Sequence, residues 1–251
     1  MPNKDINFKN FLDIKKNPKV KKSLEFLLKN QPQLFDTFKP SYKYSYSKKL
    51  ISKYKKFLNI RIIGMGGSIL GCEAIHDFLK KKIKKKLTFV NNLNGNASYF
   101  KGKNINLNLI ISKSGNTLET ISNANTIVKN NDKNIIITEN KDSYLRKLAE
   151  EMKTEIVDHK NYVGGRYSVL SEVGMLPAEL MNLSENKFKQ FNQLIKDKSF
   201  IKNLIGNVSS TLNFLKNGRH TSVILNYDEQ SDNLFKWYQQ LIAESLGKKS
   251  K

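Results

Sequence analysis

Five short apolar runs set the limits on how this chain can fold. They are IRIIG (60–64), LTFV (87–90), NLNLIIS (106–112), NIIIT (134–138) and TEIVD (154–158). Several are apolar at nearly every position, the pattern of strands buried on both faces. Helical periodicity fills the gaps. A helix is expected around Ser68–Lys82; Leu118, Ile121, Ala124 and Val128 share one face of a second, and Leu145, Leu148 and Met152 one face of a third. Strands alternating with helices imply an α/β domain, an open five-stranded parallel sheet flanked by helices on both sides.

The flanks read differently. Residues 1–58 form a helical segment in which Leu24, Leu27 and Leu28 fall at helical spacing. After residue 158 come further helices, with Gly218 as a stop signal, then one more apolar run, TSVILNY, and a last helix over SDNLFKWYQQLIAESLGK. That helix is expected to bury Leu234, Tyr238, Leu241 and Ile242. A lone buried-type strand with one helix does not make a stable parallel sheet. The expected division is therefore 1–58, 59–182, and 183–251 as the incomplete start of a second α/β domain.

Several function classes drop out. No run of about 18 apolar residues is present to span a membrane, and the N-terminus has no signal-peptide pattern. Cys72 is the only cysteine, so no internal disulfide forms and a cytoplasmic setting is expected; the thiol reads as packing. The net charge of +22, from 44 Lys and Arg against 22 Asp and Glu, first suggests nucleic acid. The lysines are spread along the chain and arginine is scarce, which points to a compositional bias instead. The run KKKIKKK, Lys80–Lys86, reads as a solvated helix end.

Ligands of open parallel sheets sit beyond the carboxyl ends of strands. Two polar loops lie there. In GMGGSILG (64–71), Gly66 and Gly67 let backbone approach a ligand, and Ser68 opens a helix whose free amides favour an anion. In SKSGNT (112–117), the hydroxyls of Ser112, Ser114 and Thr117 and the peptide groups at Lys113 and Gly115 supply neutral donors. Either loop alone could be an ordinary cap; together they suggest an anion site. The GMGGSILG loop lacks the lysine of a nucleotide P-loop. A third loop brings Arg166 after Gly164 and Gly165. On the last helix Gln240 and Glu244 stand four apart on one face, either a base with its positioning partner or exposed polar residues.

In this order and spacing, GMGGSILG, SKSGNTLET, VGGRYSVLSEVG and QQLIAESLGK resemble the glucose-6-phosphate isomerase family, over roughly residues 55–251. The first two motifs would by themselves indicate only a sugar isomerase (SIS) domain; the GGRYS segment is the more discriminating. The resemblance implies an SIS fold and a glycolytic and gluconeogenic aldose–ketose isomerase acting on glucose 6-phosphate and fructose 6-phosphate. Gly67, Ser68, Ser112, Lys113, Ser114 and Thr117 would bind the substrate through its phosphate, and Gln240 would bind sugar hydroxyls. Arg166 would stabilise an enediolate, and Glu244 would move the proton between C2 and C1. It implies no metal or redox cofactor, no nucleic-acid or membrane partner, and a homodimer at full length. The family's ring-opening histidine and late active-site lysine lie beyond the seven residues that follow Glu244. The chain alone is therefore expected to be weak or inactive, the Glu244 helix to be loosely held, and a non-catalytic sugar-phosphate-binding SIS module to stand as the alternative.

Overall fold

The structure, a computed structural model, describes residues 17–30, 33–93, 107–129 and 131–247. They fall into two compact units, neither of them one continuous segment. One lies within residues 1–42 and 186–225, the other within 43–185 and 226–251. This grouping differs from consecutive division at 58 and 182.

In the first unit, α1 (Pro18–Asn30) is followed by a 3-10 turn, Gln33–Phe38. The helices that return to this unit are α7 (Phe191–Lys196) and α8 (Lys198–Lys216). Phe35, Phe38 and Phe191 stack as a ring cluster with centroids 5.3–5.9 Å apart. The Asp197 carboxylate accepts from the amides of Ser199 and Phe200 and so starts α8. Gly218, at φ +76°, ends the helical path as its sequence position suggested.

The second unit carries the expected sheet. Its strands are β1 (Asn59–Gly64), β2 (Lys86–Val90), β3 (Leu107–Ile111), β4 (Lys133–Glu139) and β5 (Glu155–His159). All pair in parallel in the order β2-β1-β3-β4-β5. The remaining helices are α2 (Lys48–Tyr54), α3 (Leu70–Phe78), α4 (Leu118–Ile127), α5 (Tyr144–Glu151), α6 (Glu172–Leu180) and α9 (Asp232–Leu246). Every residue of β3 is buried, including Leu107, Leu109, Ile110 and Ile111. Each such aliphatic side chain contributes roughly 1.5–3 kcal/mol. Ile63, Val90, Ile110 and Ile136 form one core layer with Ala124, Ile127, Leu145 and Ala149 of α4 and α5. The chain steps from β1 outward to β2, then back across β1 to β3. Right-handed crossovers therefore put α3 on the opposite face from α4 and α5. The same reversal opens a crevice between the carboxyl ends of β1 and β3.

Four local expectations change. The single helix around Ser68–Lys82 is broken into a 3-10 turn at Gly66–Ser68, then α3, then a second turn at Lys80–Lys82. Within the lysine run, Lys85 is buried at the edge of the sheet and its amine donates to the Lys55 carbonyl, while burial pulls its pKa down. Leu118 opens α4 but is 71% exposed, because the first turn of that helix stands beyond the strand ends. Residues 219–228 lie in neither helix nor strand, with Val223, Leu225 and Tyr227 all exposed. An apolar run forms a strand only where another strand offers hydrogen bonds.

The last helix also departs from its expected footing. It packs against α3 and the 3-10 turn at Gly165–Leu170, so the helix that carries Glu244 is anchored within this unit. Its inward side matches the predicted one only in part: Leu234 and Leu241 are half-buried, as are Trp237, Gln240 and Glu244, whereas Tyr238 and Ile242 are exposed.

Candidate active site

The loop after β1 is shaped by two glycines with different tasks. Gly66 has φ +52°, a left-handed conformation that disfavours side chains, and a Cβ there would stand 3.0 Å from Gln240 Nε2. Gly67 is excluded from change by proximity: a Cβ would come within 2.3 Å of the Gly165 carbonyl oxygen. The β1 loop thus lies directly against the arginine loop. Ser168 ties the two, its single hydroxyl proton shared between the carbonyls of Gly67 (2.9 Å) and Gly165 (2.7 Å). Ser68 does not open a helix with free amides. Its own amide donates to Met65 O and that of Ile69 to Gly66 O, closing a 3-10 turn.

This contact yields a direct test. Gly67→Ala should destabilise the protein by about 1–3 kcal/mol or more, since backbone meets backbone and neither can swing away. Urea unfolding measures it; a variant as stable as the parent would mean the two loops are not in contact.

The loop after β3 converges on its own hydroxyls. Ser112 Oγ lies 2.8 Å from Thr117 Oγ1 and 3.5 Å from Ser114 Oγ. The Gly115 amide donates to Ser112 Oγ, and the Asn116 amide to Ser114 Oγ. The Gly115 amide, expected as a ligand donor, is therefore used to shape the loop. Gly115 has φ +69°, and a Cβ would fall 2.2 Å from Ser143 Oγ. The Asn116 side chain accepts from the Tyr144 amide and fixes the loop to the start of α5. The hydroxyl cluster is thus set in place before any ligand arrives.

Arg166, Gln240 and Glu244 meet although 78 residues separate the arginine from the glutamate. Arg166 Nη1 lies 3.4 Å from Glu244 Oε2, and Gln240 Nε2 donates to Glu244 Oε1 at 2.7 Å. The guanidinium carbon stands 4.7 Å from the centre of the Tyr167 ring. Hydrogen bonding to Ser245 and the adjacent arginine hold the Tyr167 phenol below its ordinary pKa. Two atoms here are buried with no hydrogen-bond partner: Arg166 Nε, a donor, and Gln240 Oε1, an acceptor. Orphaned polar atoms of this kind are costly unless a ligand completes them.

The Lys113 side chain is not turned into the cradle. Its amine donates to the carbonyls of Asn161 and Val163 and stands 3.4 Å from Glu139 Oε1. Burial would raise the Glu139 pKa, but Lys141 and Lys113 outweigh it and hold the carboxyl below its usual range.

Sequence reasoning missed Ser168 and Trp237. The indole of Trp237 donates to the Arg166 carbonyl at 3.3 Å. Its signal was its place three residues before Gln240, on the same side of α9. Cys72 is buried in α3, and burial raises its thiol pKa, as suits a packing role. His159 is buried with its Nε2 3.2 Å from the Val163 carbonyl. Among the described residues, no group of three or more His, Cys, Asp or Glu is arranged to hold a metal, and no helix is long and apolar enough to cross a membrane.

Comparison with known proteins decides the family. The model of the phosphoglucose isomerase family matches residues 46–251. The chain belongs to the phosphoglucose isomerase family. Among curated members, a glucose-6-phosphate isomerase of Methanocaldococcus jannaschii is 33% identical over 216 residues, covering 79% of this chain and 53% of that protein. A glucose-6-phosphate isomerase of Mycoplasma capricolum is 28% identical, covering 76% of this chain and 50% of its own length. The chain spans about half the length of the curated relatives it matches. Among solved structures, a hypothetical protein from Thermus thermophilus superposes over 92% of this chain and 60% of that one, with a TM-score of 0.70 at 20% identity. That likeness supports the fold.

Proposed function

We propose that this chain carries the phosphate cradle and the proton-transfer carboxylate of an aldose–ketose isomerase that interconverts glucose 6-phosphate and fructose 6-phosphate. The observation that carries the reading is the Glu244 carboxylate held between Arg166 and Gln240, beside an unmatched buried donor and acceptor. A base that moves a proton between adjacent carbons needs a fixed position, a cation for the developing oxyanion and groups to orient hydroxyls. Glu244 would take the proton from C2 of the open-chain aldose, the C–H bonding electrons forming the C1–C2 double bond as the carbonyl pair moves onto O1 to leave an enediolate. The O2 hydroxyl proton would pass to O1, and as O2 closes to the ketone the C1–C2 pair would take the proton back from the Glu244 carboxyl at C1. Arg166 would carry the negative charge between the two steps, and Gln240 Oε1 would accept from a sugar hydroxyl. The hydroxyls of Ser112, Ser114 and Thr117, with Ser68 across the crevice, would hold the phosphate.

The names of the relatives and the family match support this substrate pair. In this reading residues 183–251 open a second sugar-isomerase domain, and the working enzyme is a homodimer in the cytoplasm.

Phosphate recognition is tested apart from turnover. Ser112→Ala and Thr117→Ala should each weaken 6-phosphogluconate binding by about 1.5–3 kcal/mol, the worth of a hydrogen bond to a charged group. Calorimetry on the two variants measures this, and unchanged affinity in both would remove the cradle from the phosphate.

A further inference from the structure

Lys113 sits between two hydroxyl residues of the cradle, yet its amine is committed elsewhere. An ammonium has three N–H donors. Those of Lys113 face Asn161 O at 2.8 Å, Val163 O at 2.9 Å and Glu139 Oε1 at 3.4 Å. The other Glu139 oxygen is held by Lys141 at 2.6 Å. The backbone of Lys113 is fixed as well, its carbonyl accepting from the Glu139 amide. At the far end, Asn161 and Val163 lead straight into Gly164, Gly165 and Arg166. The Lys113 side chain therefore runs from the β3 loop to the segment that sets the arginine.

We propose that Lys113 is a positioning residue: it couples the hydroxyl cradle to the arginine loop, so that an anion in the cradle sets the placement of Arg166. The inference rests on the reading that the 112–117 loop holds phosphate. An anion bonded to Ser112, Ser114 and Thr117 loads the backbone between them, which is the backbone that carries Lys113. Lys113 Nζ, bonded to two carbonyls beyond β5, then moves or stiffens residues 161–163. Without the amine, the cradle would still fill, but Arg166 would not respond.

The protein reports on this itself. Trp237 is its single tryptophan, and its indole donates to the Arg166 carbonyl. The experiment titrates the 251-residue chain and its Lys113→Met and Lys113→Gln variants with inorganic phosphate, and then with 6-phosphogluconate. Calorimetry follows binding, tryptophan fluorescence follows the arginine loop, and circular dichroism checks the fold. The expected result is saturable binding with a fluorescence change in the parent. In the variants, affinity should stay within about threefold, short of the tenfold or more expected when a hydrogen bond to a charged group is lost, while the fluorescence change disappears. A tenfold or greater loss of affinity would make Lys113 a phosphate ligand and overturn the proposal. So would an equal fluorescence response in parent and variants. Binding to the parent with no fluorescence change would overturn it without needing a folded variant. If the parent binds neither anion, the cradle reading fails first, and the coupling falls with it.

Discussion

Glu244→Gln should lower proton exchange at the sugar carbons by about 10²–10⁴-fold, the usual worth of a positioned general base. Glutamine keeps the size of the side chain and an acceptor for Gln240 Nε2, so the local hydrogen bonding is largely preserved. What disappears is the basic oxygen and the charge facing Arg166. Sugar-phosphate affinity should change little, since the proposed phosphate cradle lies on a different loop. The measurement is solvent deuterium entry at C1 of fructose 6-phosphate, followed by nuclear magnetic resonance. This readout suits a chain that spans half the length of its relatives, because exchange registers abstraction even where net isomerisation is slow. Exchange undiminished in the variant would take the base role from Glu244. A parent chain that binds sugar phosphate but exchanges nothing would favour the alternative, a binding module without catalysis.

Much of this geometry was legible in the sequence, for reasons that also mark where legibility ends. The strands were found because a buried parallel sheet needs short, mostly aliphatic runs, and IRII, LII and NIII are such runs. TSVILNY carries the same pattern and yet forms no strand, since pattern states a preference and not a partner. Periodicity found the last helix but not its orientation. Of the expected buried face, Leu234 and Leu241 are half-buried but Tyr238 and Ile242 are exposed, and Trp237, Gln240 and Glu244 are half-buried in their place. Spacing of four was enough to pair Gln240 with Glu244. No local rule joins either to Arg166, which reaches them only through the fold. Glycine spacing likewise announced a close approach at Gly67 without saying that the neighbour is Gly165. For Lys113 the sequence spoke only for the peptide group: adjacency to hydroxyl residues places a backbone, while the long side chain serves another loop, its amine donating to the Asn161 and Val163 carbonyls.

Asp132→Ala should be among the most destabilising single changes in this chain, at about 3–5 kcal/mol. The reason lies at the amino end of the strands, opposite the cradle. Arg61 is a β1 residue with its side chain 1% exposed, and the Asp132 side chain, just before β4, is 4% exposed. Arg61 Nη1 lies 3.5 Å from Asp132 Oδ2 and donates to Asn108 Oδ1 at 3.0 Å and Ile127 O at 3.4 Å. Asp132 Oδ2 also accepts from Asn108 Nδ2 and from the Lys129 amide. Taking away the carboxylate removes this counter-charge from a buried guanidinium, in a core too tight to let it reach water. The loss is a large share of the roughly 5–15 kcal/mol that holds an ordinary domain together. Replacing both members, Arg61→Met with Asp132→Leu, should recover most of it, because the desolvation of the pair disappears together with its attraction. Urea unfolding of the parent, the single variants and the double variant measures the coupling. A cost below about 1 kcal/mol for Asp132→Ala would show an exposed, weakly worth pair instead. The folded double variant should still bind 6-phosphogluconate as the parent does, since Arg61 and Asp132 sit at the sheet end that the cradle does not use.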